Sequence, residues 1–147
     1  MPATFGLRLE RIFEASRDRI FRAWTDRALR AQWLRPGDDW TVPVTEVDAR
    51  VGGAYRDVFC SPAGESFSES GVFLELRPPE RLAYTCRFEG GGVLEPEMRV
   101  TVELQDLGGG KTRVVLEQSG YRSQKNRDEQ EQGWPAFLDQ LAKRLHG

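Results

Sequence analysis

The chain has 147 residues, 39% of them hydrophobic and 30% charged, with 4 Trp, 3 Tyr and 8 Phe. That is the size of one ordinary domain, large enough to bury a core without disulfides or metal. Basic and acidic residues nearly cancel, 21 against 23, so the chain has neither the make-up of a disordered segment nor the basic excess of a nucleic-acid binder.

Taken in chain order, residues 5–14 put Phe5, Leu7, Leu9 and Phe13 on one alternating parity, which predicts a half-buried strand. Arg11 shares that apolar parity. Ser16 is placed to cap a helix carrying Ile20, Phe21 and Trp24, because its hydroxyl can accept a free first-turn amide. Asp26 can cap a second short helix with Leu29 and Trp33 on one face, stopped by Arg35-Pro36-Gly37. From Trp40 to Ser119 the pattern is antiparallel β, with strands expected at 40–50, 54–60, 67–77, 81–88, 98–104 and 112–118. Gly52-Gly53 predicts a bulge or close crossing, and the runs 90–92 and 108–110 predict hairpin turns. The tail, about 126–146, is helical, with Trp134, Phe137, Leu138, Leu141 and Leu145 as its apolar stripe. Pro135 inside that stripe predicts a kink or a helix start near 133–136. No linker or repeat divides the chain, so residues 1–147 are expected to form one domain.

Histidine supplies most acid–base chemistry near neutral pH and is the commonest metal ligand. This chain has one, His146, in its last turn, which excludes most triad and His-cluster mechanisms and predicts no metal site. Cys60 and Cys86 are too few for a thiolate zinc site and form no CxxC pair. Both are expected to act as small hydrophobes. No apolar run has the length of a signal peptide or membrane span, so the protein is expected to be soluble, reduced and cytoplasmic. No cofactor is expected, and neither glycine run has the context of a phosphate loop.

Several strings resemble one family in its own order: FEAS at 13–16, FRAWTD at 21–26, QWLRPG at 32–37, DARVGGAYR at 48–56, PPERLAYT at 78–85, GKTRVVLEQSGY at 110–121 and GWPAFLDQLAKRL at 133–145. They are similar to the START-like superfamily. Within it they are similar to bacterial proteins like the C-terminal domain of the activator of the heat-shock-protein-90 ATPase. The resemblance implies an α+β helix-grip fold: a curved seven-stranded antiparallel sheet wrapped around a long C-terminal helix, with two short helices after strand one. It also implies an apolar cavity between sheet and helix, a chaperone as one kind of partner, and a homodimer. Pro135 departs from the family's usual unbroken helix.

The cavity candidates are Trp33, Tyr55, Phe59, Tyr84, Phe88, Met98, Trp134, Phe137 and Leu138, on elements whose apolar parities face inward. Trp33, Tyr84 and Trp134 also carry polar handles that need partners when buried, whereas Trp24 reads as core. Arg11, Arg56, Asp57, Glu69, Glu75 and Arg99 sit on otherwise apolar elements. They are expected to face water on the wet side of the sheet, and none is assigned a catalytic role. Three functions follow: a binding protein for a small apolar or amphipathic ligand; a partner of a chaperone; or a cyclase- or hydrolase-like enzyme using a buried carboxylate or tyrosine. Neither nucleic acid nor a membrane span is expected.

Overall fold

The computed structural model describes residues 5–90, 92–94, 96–121 and 123–146. The side chains of Phe5 and His146, and Gly91 of the 90–92 run, lie outside the described part. Strand β1 (Phe5–Phe13) leads into α1 (Arg17–Thr25) and α2 (Arg27–Trp33). Then come β2 (Thr41–Val47), β3 (Ala54–Cys60), β4 (Ser66–Arg77), β5 (Arg81–Gly90), the two-residue β6 (Val93–Leu94), β7 (Met98–Gly108), β8 (Lys111–Tyr121) and α3 (Gln124–His146).

Seven strands run antiparallel in the order β1-β8-β7-β5-β4-β3-β2, and β6 adds only a short pairing to β5. This is the expected curved sheet with its long C-terminal helix; β6 is the one strand that the alternation pattern does not reveal. Two residues are too few to show a period.

Local chemistry accounts for the helix starts. The Ser16 hydroxyl accepts the Arg19 amide at 3.4 Å, and the Asp26 carboxylate accepts the Leu29 amide at 3.1 Å. The inward face of α2 includes a residue that the Leu29–Trp33 stripe does not name. Its buried residues are Arg30 and Trp33, followed by Leu34, while Leu29 is only half-buried. Beside Trp33, Arg30 turns inward to meet two carboxylates of the sheet.

Gly53 marks a close crossing: a Cβ there would lie 2.0 Å from the Asp48 carbonyl oxygen. Gly52 donates its amide to Phe73, and Gly53 accepts the Phe73 amide, so this turn is tied to β4 just where β4 shifts register against β5.

Helix α3 lies against the sheet through Trp134, Leu138, Leu141 and Leu145, which are buried, and Phe137, which is half-buried. It runs through Pro135 without a new start, so of the expected kink or start near 133–136 the start does not occur. The proline removes one backbone bond, but the helix is anchored from outside both before and after it. On the amino-terminal side the Arg127 guanidinium donates to the Gly6 carbonyl at 3.0 Å. On the other side Asp139 pairs with Arg11 at 2.6 Å, and Lys143 pairs with Asp38 at 2.9 Å. Arg11 is therefore a tether between sheet and helix, half-buried over the Phe13 ring, rather than a water-facing charge.

Candidate functional site

A cleft of about 500 Å³ opens where β3, β4 and β5 meet α3 and the loop after α2. The sheet contributes Phe59, Phe67, Glu69, Phe88 and Glu89; α3 contributes Glu129, Gln130, Gly133, Trp134 and Phe137; the loop contributes Leu34, Pro36 and Trp40. The rings form a connected wall. Trp40 packs on Phe59 and Phe67 at centroid distances of 6.0 and 5.6 Å, Phe59 on Phe137 at 6.0 Å, and Phe137 on Trp134 at 6.3 Å. These are the offset and edge-to-face spacings that aromatic pairs prefer. Glu89 and Glu129 are exposed, whereas Glu69 is only 4% exposed.

Trp134 is positioned from behind. Its Nε1–H donates to Gln118 Oε1 at 2.7 Å, and the Tyr121 hydroxyl donates to the same oxygen at 2.6 Å. One buried amide oxygen thus fixes the ring that forms part of the cleft wall.

Beneath the cleft lies a buried ion cluster. Asp57 on β3 and Glu69 on β4 are direct cross-strand partners, and two like charges in that relation repel. Arg30 reaches in from α2 to separate them. Its Nε contacts both Asp57 oxygens at 3.1 and 3.0 Å, and its Nη2 donates to Asp57 Oδ2 at 2.8 Å. The same Nη2 reaches Glu69 Oε2 at 3.3 Å, and Nη1 donates to the Trp24 carbonyl at 2.9 Å. The guanidinium lies 4.6 Å from the Tyr55 ring centroid. Tyr55 in turn donates its only proton to the Thr85 carbonyl at 2.7 Å. That contact needs Gly71, whose Cβ would stand 1.9 Å from the Thr85 oxygen.

One guanidinium cannot neutralise two carboxylates. Burial raises Asp57, against the charge and hydrogen bonds of Arg30. Burial also raises Glu69 to about 7; Arg30 opposes the rise and Asp57 adds to it. Arg30 itself stays charged: burial works against it, but the charge and hydrogen bonds of Asp57 prevail. Asp57 takes three of the Arg30 contacts and Glu69 one long one, so the proton that the cluster shares rests on Glu69. Burial pushes Tyr55, Tyr84 and Cys86 far up, which keeps them neutral.

Of the nine cavity candidates, Phe59, Phe88, Trp134 and Phe137 line the cleft. Trp33, Tyr55, Tyr84, Met98 and Leu138 lie in the hydrophobic core. The polar handles of Trp33 and Tyr84 are met internally: Trp33 donates to the Ala23 carbonyl at 2.7 Å, and Tyr84 accepts from Trp24 at 3.2 Å. The water-facing expectation holds for Arg56 and Arg99, which are exposed. It fails for Asp57 and Glu69, which share an inward parity with aromatic neighbours. Glu75 is half-buried and paired with Arg81 and Arg77, beyond the register shift of β4. Arg30, Trp40 and Phe67 were not anticipated as site residues. Among the described residues no cluster of His, Cys, Asp and Glu could hold a metal ion, and no helix is long and apolar enough to cross a membrane.

A bent antiparallel sheet closed by one long terminal helix defines a START-like, helix-grip protein. Residues 14–146 match the family described as Activator of Hsp90 ATPase homolog 1-like protein, and the chain belongs to that family. At the level of the family this is a ligand-binding type of domain. A crystal structure of a Chromobacterium violaceum protein is 35% identical, with a TM-score of 0.85 over 97% of each chain. The AHSA1 protein from Silicibacter pomeroyi is 25% identical, with a TM-score of 0.84 over 97% of this chain and 98% of its own. A Rhizobium loti protein is 26% identical, with a TM-score of 0.80 over the same shares. None of the curated proteins matches the chain.

Proposed function

We propose that the protein binds a small apolar or amphipathic molecule in the cleft between the sheet and α3. The observation that carries this reading is a ring-lined space of about 500 Å³ with one buried polar group, Glu69, in its wall. Ligand sites are commonly clefts of roughly 300–1,000 Å³ in which apolar walls supply affinity and a few polar groups set orientation. Gly133 allows a clean test. It lines the cleft on α3, and a Cβ there meets nothing within 4 Å. Gly133→Leu should fill the cleft while leaving the helix intact. Native mass spectrometry and Trp fluorescence against a panel of lipids and aryl metabolites should detect binding by the wild type and its loss in G133L. A folded G133L that binds equally well removes the cleft as the site.

A second reading has its own observation. A carboxyl group raised to about 7 inside a cleft can exchange a proton with a bound molecule, as a general acid or base must. An enzyme of this kind would retain ligand binding but lose turnover in Glu69→Gln. Turnover surviving in E69Q would remove this reading. The chaperone partner rests on the family description alone.

A further inference from the structure

We infer that the cleft is selective for an amphipathic cation: an ammonium head group on an apolar body, the head seated against Glu69. This rests on the cleft being the binding site and names the chemical class it takes.

Three independent features converge. The first is charge count. Arg30 spends its fork on Asp57 and gives Glu69 a single 3.3 Å contact, so one negative charge of the cluster has no matching cation among the described residues. That carboxylate is the member of the cluster that lines the cleft. The second is the sign of the lining. Its charged side chains are Glu69, Glu89 and Glu129, and among the described residues no Lys, Arg or His lines it. The third is the wall itself. Trp40, Phe59, Phe67, Phe88, Trp134 and Phe137 surround the space, and ring faces attract cations. An anionic head would meet three carboxylates and no partner. A neutral head would leave Glu69 to hold a proton. An ammonium completes the count: two positive charges for two carboxylates.

Proton linkage follows from that seating. Arg30 faces Glu69 from α2, Tyr55 and Asp57 from β3, and Tyr84 and Cys86 from β5. Glu89 on β5 and Glu129 on α3 complete the titratable groups around the cleft. Of the groups beside it, Tyr55, Tyr84 and Cys86 stay neutral and Arg30 stays charged. Glu69, raised to about 7 by burial and held by only one long Arg30 contact, is the carboxylate of the cluster that changes state near neutrality. A cation beside Glu69 favours its ionised form, so binding just below neutrality expels a proton, and affinity rises with pH from about 5.5 to 8.

Three probes with one skeleton and different heads test this: phenylbutylamine, phenylbutanol and phenylbutyrate. The amine stays protonated throughout the range, since alkylammonium groups lose their proton near pH 10. Isothermal titration of the wild-type protein at pH 7.5 should rank amine over alcohol by about tenfold or more, with the acid weakest. Titration of the amine at pH 6.5 in two buffers of different ionisation enthalpy should show net proton release. In E69Q the amine-to-alcohol ratio should fall to near one. Alcohol binding with no preference for the amine overturns the cation inference and leaves the cleft reading standing, as does amine preference without proton release. No binding by any of the three overturns both.

Discussion

Replacing Glu69 by Gln should remove a pH dependence of stability that the wild-type protein carries. The carboxyl is 4% exposed, and burial raises it from its ordinary 4.5 to about 7. The sign follows from proton binding. Between those two values the folded chain holds a proton that the unfolded chain releases, so stability falls as pH rises through this window and levels off above about 7. At about 1.36 kcal/mol per unit, the full effect is about 3 kcal/mol, most of which falls between pH 5 and pH 8. Gln has the shape of the neutral acid and cannot ionise, so the variant lacks this slope. The Arg30–Asp57 pair is common to both proteins and cancels to first order. Urea unfolding followed by Trp fluorescence at pH 5, 6, 7 and 8 gives the comparison. The stability of E69Q relative to wild type should climb by about 2–3 kcal/mol across that range. A difference that stays constant would mean that Glu69 ionises like a solvated acid, and the charge count at the cleft would be wrong.

Arg30→Met should cost about 3–5 kcal/mol at pH 7 in the same assay, because it leaves two facing carboxylates without their cation; a loss below about 1 kcal/mol would refute the cluster. Gln118→Leu should cost about 2–4 kcal/mol, since the donors of Tyr121 and Trp134 both lose their acceptor. The two glycines of the site should respond with opposite signs in thermal melts. Gly71→Ala drives a Cβ to 1.9 Å from a backbone oxygen and should destabilise by more than about 2 kcal/mol. Gly133→Ala meets open space in the middle of α3 and should stabilise by about 0.5–1 kcal/mol.

Much of the fold was legible because alternation and helical stripes report which face of each element is dry. The Ser16 and Asp26 caps, the hairpins and the final helix follow from such local signals. The ion cluster was written in the same code but was easy to misread. Asp57 lies on the parity of Tyr55 and Phe59, and Glu69 on that of Phe67 and Phe73, so strict alternation points both inward. A charge at such a position reads as solvated until a counter-charge is found. Here that is Arg30, 27 residues from Asp57 and 39 from Glu69. No local pattern encodes so distant a pairing. The cleft wall was half legible for a related reason: parity identifies rings that point inward but not where the helix stops covering them. Tyr84 and Met98 point inward as surely as Phe88, yet they lie in the packed core rather than the cleft.

The cluster also separates what the fold needs from what it does not. Arg30 has a structural task, since its Nη1 satisfies a carbonyl at the end of α1 while its fork ties α2 to β3. Asp57 alone would neutralise it. Glu69 adds a second carboxylate directly opposite the first, in a setting where desolvation exceeds what a single 3.3 Å contact returns. An apolar residue at position 69 would spare the core a titrating group and extend the aromatic wall. Folding physics thus explains Arg30 and Asp57 but leaves Glu69 unaccounted for. The side chain without a structural reason is also the one that opens onto the cleft. Strain of this kind gathers where a protein meets its ligand, and it makes position 69 the place where binding, protonation and stability should change together.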